Sequence, residues 1–190
     1  MSKNPDNTAD RNVSPYTLRQ KLARVAWAAV QCTVFGLSPK PLYGWRAMLL
    51  RSFGAKLGRN VRLRPSVKIE IPWNLTLGDD VTIGDYVILY ALGPITIGAR
   101  SFVSQYSHLC AGTHDHTKTS YPLQRVPITI GSDCWVAAEV FVAPGAEIGD
   151  GTVVGARSSV FGKVPGWVVA VGYPARAVKA REFDAKPGDV

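Results

Sequence analysis

A repeat of six residues runs from Leu77 to Pro165 and constrains the fold more than any other feature of the sequence. An aliphatic residue opens each step, and glycine often follows it directly. The openers are Leu77, Ile83, Leu89, Ile97, Val103, Leu109, Ile130, Val136, Val142, Ile148, Val154 and Val160. A period of six matches neither an α-helix nor an alternating strand. It is typical of a parallel β-helix, in which each step is one short strand and one turn.

The repeat also predicts where side chains point. Each opener should face inward and stack on its equivalents in neighbouring coils. The residue four positions later is small or β-branched, as at Val81, Ser101 and Ala146, and should fill the narrow corner of the prism. Glycine after the opener, as at Gly78 and Gly98, is expected to supply the backbone angles of the turn. Stability should then accrue coil by coil.

Interruptions of the repeat indicate function. Two extra residues fall near Gly93, and a longer break spans residues 115–127. A loop of this length in a compact repeat is usually functional. This longer break begins within His114-Asp115-His116, which places three polar side chains at the start of a predicted active-site loop.

Charge and cysteine content bound the partners and the compartment. The formal net charge of +8 favours anionic partners, such as phosphates or an acidic membrane surface. No nucleic-acid motif is present, so nucleic acid is not expected as a partner. Cys32, Cys110 and Cys134 lack CxxC spacing and fit a reducing compartment. With no evident secretory signal and no apolar run long enough to span a bilayer, we predict a cytoplasmic protein.

The chain of 190 residues divides into four predicted segments around one domain. Residues 1–14 are polar and aperiodic, which predicts disorder. Residues 15–56 are predicted to be helical. Residues 57–172 should form the β-helix domain. Residues 173–190 should form a turn, a short basic helix near 177–183 and a frayed tail.

The first predicted helix has two interpretations. Ser14 would cap it, and Leu18, Leu22 and Val25 follow at helical spacing with basic residues in the early turns. It could pack on the body of the protein. It could instead lie on an anionic membrane, which would place the protein at the inner face of the plasma membrane.

Several motifs occur together in one order. They are Pro72-Trp73-Asn74-Leu75, Ser104-Gln105, Gly112-Thr113-His114-Asp115, Trp135-Val136-Ala137-Ala138 and Val171-Gly172-Tyr173-Pro174-Ala175-Arg176. From about residue 18 to residue 179, the sequence resembles the bacterial hexapeptide acyltransferase superfamily, especially its colanic-acid-type polysaccharide O-acetyltransferases. The resemblance implies a left-handed parallel β-helix, a homotrimer with active sites between subunits, acetyl-CoA as co-substrate, and a saccharide or lipid-linked saccharide as acceptor.

Acetyl transfer to a hydroxyl needs a base that removes the hydroxyl proton, and histidine suits this task. His114 matches the catalytic histidine of the family. His116 is the second candidate, and His108 is expected to be structural or to line the substrate site. Asp115, Glu139 or a backbone carbonyl would orient the imidazole. No residue resembles a covalent nucleophile, so we expect direct attack in a ternary complex.

For the coenzyme, the resemblance implies that Trp135, Ala138 and Ala156 line the pantetheine tunnel. The N–H near Ala138 would stabilise the oxyanion. Arg176 and Lys163 would meet the coenzyme phosphates. The family often has a Thr-Lys pair where this chain has its lysine shifted by one position, which weakens the assignment of Lys163.

On the acceptor side, Tyr90 and Tyr121 could stack on a sugar ring, with His116 beside them. The family frequently has an asparagine where this chain has Ala91, so the acceptor contacts differ.

Three alternatives stand beside this hypothesis. The acceptor could be a small soluble molecule, such as a free sugar, an amino acid or an antibiotic. A metal-dependent hydratase resembling γ-type carbonic anhydrases needs three histidines around zinc, but the three here are crowded together, and no metal is expected. The solenoid could also be a scaffold without catalysis.

Overall fold

The computed structural model describes residues 16–182 and shows a parallel β-helix with helices at its N-terminal end. The predicted parallel β-helix is confirmed. The segments predicted to be disordered or frayed, 1–14 and most of the C-terminal tail, lie outside the described residues.

Strands, numbered in chain order, form the three faces of the prism over residues 16–182. Face A contains β1 (Lys56–Leu57), β4 (Leu75–Leu77), β7 (Ile95–Ile97), β12 (Ile128–Ile130), β15 (Glu147–Ile148) and β18 (Lys163–Val164). Face B contains β2 (Arg62–Leu63), β5 (Thr82–Ile83), β8 (Phe102–Val103), β13 (Trp135–Val136), β16 (Val153–Val154), β19 (Val168–Gly172) and β20 (Ala175–Ala180). Face C contains β3 (Lys68–Ile69), β6 (Ile88–Tyr90), β9 (His108–Cys110), β14 (Phe141–Val142) and β17 (Ser159–Val160). A separate hairpin pairs β10 (Gly112–His114) with β11 (Leu123–Arg125).

The core consists of the repeat openers, as the sequence predicts. Every opener from Leu77 to Val160 is buried, and Val81, Ser101 and Ala146 are buried beside them. Equivalent openers pair in register between coils, for example Val136 with Val154 on face B. The periodic burial of one aliphatic residue per strand therefore builds the whole interior.

The sequence correctly marks glycine after the opener, but the predicted reason, the backbone angles of the turn, is wrong. In most turns the left-handed backbone lies three positions after the opener, for example at Asp80 and Arg100, with φ of 60° and 58°. Glycine follows the opener because the next coil passes too close for a side chain. A Cβ added at Gly98 would lie 2.5 Å from the carbonyl carbon of Gly131 and 2.5 Å from the nitrogen of Ser132. Steric clearance between coils thus explains these glycines.

Substitution of Gly98 tests this clearance. We expect Gly98→Ala to lower the free energy of unfolding by about 2 kcal/mol or more, because backbone atoms of the next coil must move. Gly44 is the matched control: it lies in a helix, and a Cβ there meets nothing within 4 Å. Gly44→Ala should be neutral or stabilising by up to about 1 kcal/mol. Denaturant unfolding measures both, and equal effects would argue against the clearance.

Two helices cover the first coils. Helix α1 spans Leu18–Val30, continues as a π-helical turn over Gln31–Phe35, and is followed by α2 at Tyr43–Ser52. A capping box between Thr17 and Gln20 begins α1, whereas the predicted cap, Ser14, lies outside the described residues. A short 3₁₀ turn at Pro72–Asn74 precedes β4.

Helix α1 packs on the solenoid through one face. Trp27 is buried, contacts the rings of Phe35 and Phe53, and donates from Nε1 to the carbonyl of Ile69 at 2.7 Å. One turn later, the amide oxygen of Gln31 accepts from the backbone N–H of Ile69 at 2.7 Å. These two side chains satisfy backbone groups of β3. The interpretation that this helix packs on the body of the protein is therefore correct for its inner face.

The predicted C-terminal helix is wrong. Residues 175–180 form strand β20, which pairs antiparallel with β19 through a turn at Tyr173 and Pro174. Because β19 is the last coil strand on face B, its outer edge would otherwise leave backbone groups without partners. Pairing with β20 satisfies that edge, and this tertiary demand overrides local helix propensity.

Candidate active site

The predicted active-site loop is built on the hairpin of β10 and β11. Its register pairs His114 with Leu123 and Gly112 with Arg125. The segment predicted as a loop, 115–127, is therefore partly a strand. The remaining loop is closed by the N–H of Asp115, which donates to the carbonyl of Pro122 at 3.0 Å. The hairpin leaves the prism between β9 and β12, that is, at the corner of faces C and A.

His114 is exposed at the end of β10, and its ring is held by the backbone. Nδ1 lies 2.6 Å from the carbonyl oxygen of Tyr121. A carbonyl can only accept, so Nδ1 carries the hydrogen and Nε2 presents its lone pair. Tyr121 itself has a left-handed backbone, with φ of 45°, which aims its carbonyl at the ring. The hairpin therefore fixes both the tautomer and the orientation of the imidazole.

The two carboxylates considered for this role are engaged elsewhere. Asp115 accepts from the N–H of Thr117 at 3.0 Å and from its hydroxyl at 2.6 Å, and these bonds lower the pKa of Asp115. Glu139 pairs with Arg157 at 2.8 Å. The sequence left three groups open as the one that orients the His114 imidazole: Asp115, Glu139 or a backbone carbonyl. In the structure, the backbone carbonyl of Tyr121 makes this contact.

His108 is part of an aromatic row on face C. Its ring packs edge-on against Tyr90 and Phe141, with centroid distances of 6.2 and 5.6 Å. The row continues through Phe161 to Tyr173. Nε2 of His108 is buried without a hydrogen-bond partner among the described residues, and burial lowers the pKa of His108. His108 thus packs between two aromatic rings, and its lowered pKa favours the neutral imidazole.

The lowered pKa of His108 predicts an acid-dependent loss of stability. Below about pH 6.5 the unfolded chain protonates this histidine while the folded chain resists, so stability falls. His108→Phe should remove that part of the loss between about pH 7 and pH 5. Asp79 and Asp133 have pKa values lowered by hydrogen bonds from Arg59 and Arg100, so their contribution is lost only below about pH 4. Thermal midpoints across this range measure the effect, and an unchanged profile in the variant would contradict it.

Three predicted coenzyme residues lie along one corner of the prism. Trp135 points outward from face B, is exposed, and donates from Nε1 to the hydroxyl of Ser104 at 3.0 Å. Ala138 lies at the following corner between faces B and C, and Ala156 occupies the equivalent place one coil later, as the register of β13 and β16 shows. The N–H groups flanking Ala138 donate to other coils: Ala137 to Val154, and Glu139 to Gln105.

Arg176 extends this corner, whereas Lys163 does not. Arg176 pairs with Val171 at the end of β19, one coil beyond Ala156. Lys163 lies on face A and pairs with Glu147 at 2.9 Å. Within one subunit, Trp135 and Arg176 therefore share an edge of the prism that Lys163 does not reach.

Cys110 and Cys134, the two cysteines of the β-helix, lack the features of a nucleophile. Cys134 is buried, and burial raises the pKa of its thiol. The thiol of Cys110 donates to the carbonyl of Gly112 at 3.2 Å. Burial of one thiol and the engagement of the other by a backbone carbonyl leave neither of them presented as a nucleophile.

A cluster beside the hairpin contains residues that sequence analysis missed. The ring of Tyr16 lies between the guanidinium groups of Arg24 and Arg125, at 4.3 and 4.5 Å. Arg24 also pairs with Glu70. Arg125 lies on β11 opposite Gly112, two residues from the partner of His114. No motif signals this cluster, because its members come from distant parts of the chain.

The other predicted acceptor residues are distributed around the hairpin. Tyr90 is exposed at the end of β6, and burial of its hydroxyl raises its pKa. His116 and Tyr121 are exposed in the hairpin loop. Ala91 is buried, and its carbonyl accepts from the amide of Asn74 at 2.8 Å. Within residues 16–182, no three His, Cys, Asp or Glu side chains form a group that could hold a metal.

Comparisons with known proteins agree with this architecture. A model of the bacterial transferase hexapeptide family, described as six repeats, matches residues 127–162. WcaF of Escherichia coli strain K12, named as a colanic acid biosynthesis acetyltransferase, is 59% identical over 155 residues, covering 82% of this chain and 85% of WcaF. The galactoside O-acetyltransferase of the same organism is 30% identical over 148 residues, covering 70% of this chain and 68% of that protein.

Solved structures show the same fold. A hexapeptide-repeat acetyltransferase of Vibrio cholerae, VCA0836, complexed with acetyl coenzyme A, has a TM-score of 0.80 at 22% identity, covering 90% of this chain and 94% of its own. A galactoside acetyltransferase in complex with coenzyme A has a TM-score of 0.77 at 23% identity, covering 89% of this chain and 86% of its own.

Proposed function

The chain belongs to the bacterial hexapeptide-repeat acyltransferases, in the branch that contains WcaF, and from this premise we propose that it is an acetyl-CoA-dependent O-acetyltransferase acting on a sugar hydroxyl. The acceptor would belong to exopolysaccharide, lipopolysaccharide or lipid-linked oligosaccharide biosynthesis. The names of two E. coli relatives support this class: WcaF for colanic acid and WbbJ for lipopolysaccharide. The resemblance predicted from sequence motifs is confirmed.

The observation that carries the mechanism is the bond between His114 Nδ1 and the Tyr121 carbonyl. It leaves Nε2 free to take the proton of the acceptor hydroxyl. The hydroxyl oxygen then bonds to the acetyl carbon, the carbon–sulfur bond breaks, and the proton passes from His114 to the departing thiolate. Because Cys134 is buried and the Cys110 thiol donates to a backbone carbonyl, we propose direct transfer without an acetyl-enzyme.

Trp135, Ala138 and Ala156 would line the pantetheine path along the corner of faces B and C. The small side chains of the two alanines leave room there, and the N–H of Ala138 would donate to the oxyanion. Arg176, further along the same corner, would bind phosphate. Lys163 would contact the coenzyme phosphates only from a different subunit, or after its ion pair with Glu147 opens.

The placement of these groups supports assembly from two subunits. His114 projects from the corner of faces C and A, whereas Trp135 and Ala138 lie at the edge between faces B and C. Since one prism presents them on different corners, a site containing both would form between neighbouring prisms. A homotrimer with three equivalent clefts provides this arrangement.

Tyr90, His116 and Tyr121, with the cluster of Tyr16 and Arg125, would form the acceptor side. All of them lie on or next to the hairpin that carries His114. The paired guanidinium groups around Tyr16 favour an acceptor that carries negative charge.

The test is release of free thiol from acetyl-CoA with a panel of nucleotide sugars, lipid-linked sugars and polysaccharide fragments. We expect turnover with at least one saccharide acceptor. The similarity to galactoside O-acetyltransferase favours a second candidate, a small soluble sugar acceptor, and free galactosides in the panel separate the two. Absence of both coenzyme binding and turnover would instead favour a scaffold.

Work on a lipid-linked acceptor would place the enzyme at the inner face of the plasma membrane. No helix among the described residues is both long and apolar enough to cross a membrane.

A further inference from the structure

The solvent-facing side of α1 is apolar. Leu18, Leu22 and Val25 are 72%, 62% and 69% exposed, and Ala29 continues their line. At about 100° per residue, these four side chains fall within an arc of about 60°. They form a continuous exposed strip, which we call the apolar stripe of α1. Such contiguous apolar surface marks an interaction site.

The stripe cannot turn inward to become core. Trp27 lies on the opposite side of the same helix and is fully buried, and its indole is bonded to Ile69. Gln31 holds the same strand from the next turn. Because these contacts fix the rotation of α1, the stripe stays on the surface.

Basic side chains flank the stripe on both sides. Arg19 and Lys21 are exposed and lie about 90° and 70° from its centre line, in opposite directions. Beyond the helix, Leu37 is 81% exposed, and Trp45 is exposed with its Nε1 bonded to the carbonyl of Val34 at 2.9 Å. An apolar strip bordered by arginine and lysine is the pattern of a helix that lies in a bilayer interface.

The charge of the surrounding segment is one-sided. Residues 16–69 contain no aspartate or glutamate, yet they hold half of the 22 basic residues of the chain. These are Arg19, Lys21, Arg24, Lys40, Arg46, Arg51, Lys56, Arg59, Arg62, Arg64 and Lys68. Arg24, Arg59 and Arg64 pair with carboxylates of later coils, which leaves the helical end strongly positive.

We propose that the apolar stripe of α1 seats the enzyme on an anionic lipid surface. Leu18, Leu22 and Val25 would enter the boundary between headgroups and acyl chains, while Arg19 and Lys21 would meet lipid phosphates. A second copy of the chain fits less well, because two such segments would bring basic residues together without acidic partners. The charge of this end complements anionic lipid.

The stripe lies beside the hairpin of His114. Tyr16, two residues before Leu18, stacks against Arg125 on β11. A lipid-linked acceptor held at the membrane would thus be close to the proposed base. This consequence rests on the proposed function, whereas the membrane contact does not.

Vesicle flotation of the full chain tests the proposal without substrate. We expect binding to vesicles of phosphatidylcholine with about one third phosphatidylglycerol, and weak binding to phosphatidylcholine alone. Replacing Leu18, Leu22 and Val25 together with serine should reduce the bound fraction about tenfold or more. Arg19→Gln with Lys21→Gln should reduce affinity about thirtyfold, and added salt should weaken the wild type similarly.

Val178→Ser is the matched control, because Val178 is 59% exposed on β20 at the other end of the solenoid. It should bind vesicles like the wild type. Equal binding of the wild type to neutral and anionic vesicles, or full binding by the triple variant with an unchanged thermal midpoint, would overturn the proposal. So would a change in oligomer mass in the triple variant by light scattering, since the stripe would then be a contact between subunits. Acetyl transfer is tested separately, by thiol release from acetyl-CoA. A failure of vesicle binding therefore does not count against the acetyl-transfer proposal, and a failure of acetyl transfer does not count against membrane binding.

Discussion

Replacing His114 with alanine is expected to lower the rate of acetyl transfer by about 10²–10⁴-fold at saturating substrates. The imidazole is the group on the hairpin that is oriented to take a proton. Its Nδ1 donates to the Tyr121 carbonyl oxygen, 2.6 Å away, which directs Nε2 away from the backbone. Without the imidazole, the acceptor hydroxyl must attack while still protonated. Thiol release under saturating acetyl-CoA and acceptor measures the loss.

The pattern of the kinetic change distinguishes a base from a binding residue. If His114 acts only in the transition state, kcat should fall while the KM for acetyl-CoA stays within a few-fold. Added imidazole should restore part of the activity of His114→Ala, because it can enter the space left by the ring. Loss of binding alone would raise KM and would not be rescued.

His116 provides the competing assignment. It lies two residues further along, is exposed, and belongs to the loop of the same hairpin. If His114→Ala retained wild-type kcat and His116→Ala lost it, the base would be His116. If both variants retained full activity, the proposal that a histidine of this hairpin removes the proton would be wrong for any acceptor.

The fold was predictable because its periodicity is local. Openers such as Ile83 and Val136 recur every six residues, and each is buried as that pattern requires. The reason for glycine at Gly98 was not predictable, since its clearance depends on Gly131 in the next coil, far away in sequence. The same holds for β20, whose conformation follows from the free edge of β19.

The site was predictable in its residue types but not in its assembly. His114 and Trp135 stand out as motifs, yet only the strand topology shows that they lie on different corners of one prism. The group that orients His114 could not be predicted either, because every residue has a backbone carbonyl and the sequence does not show which one contacts the ring. Tyr16, Arg24 and Arg125 meet only in space.

A buried arginine joins the helical end to the solenoid. Arg46 on α2 is fully buried, and burial lowers its pKa. It donates from Nε to the carbonyl of Leu63 at 2.7 Å, and from its terminal nitrogens to Ser38 and to the carbonyls of Pro39 and Lys40. Within the described chain, no carboxylate pairs with it. Its role is therefore to satisfy the polar groups of a tight segment against the first coils.

Removing this guanidinium should have the largest effect on stability. We expect Arg46→Ala to cost about 3–4 kcal/mol, because it leaves a cavity and several buried acceptors without donors. Arg51→Ala is the matched control on the same helix: its bonds to Leu57 and Gly58 are exposed, so the loss should stay below about 1 kcal/mol. Denaturant unfolding of both variants measures the difference.

The loss should begin in the helical end, since coils of a solenoid contact only their neighbours. In Arg46→Ala, amides of α1 and α2 should exchange with solvent much faster, and proteases should cut near residues 38–42, while coils beyond β12 remain protected. Vesicle binding should weaken as well, because the apolar stripe of α1 would lose its fixed orientation. If exchange rose equally in every coil, or if Arg51→Ala matched Arg46→Ala, Arg46 would not be the contact that holds the helical end in place.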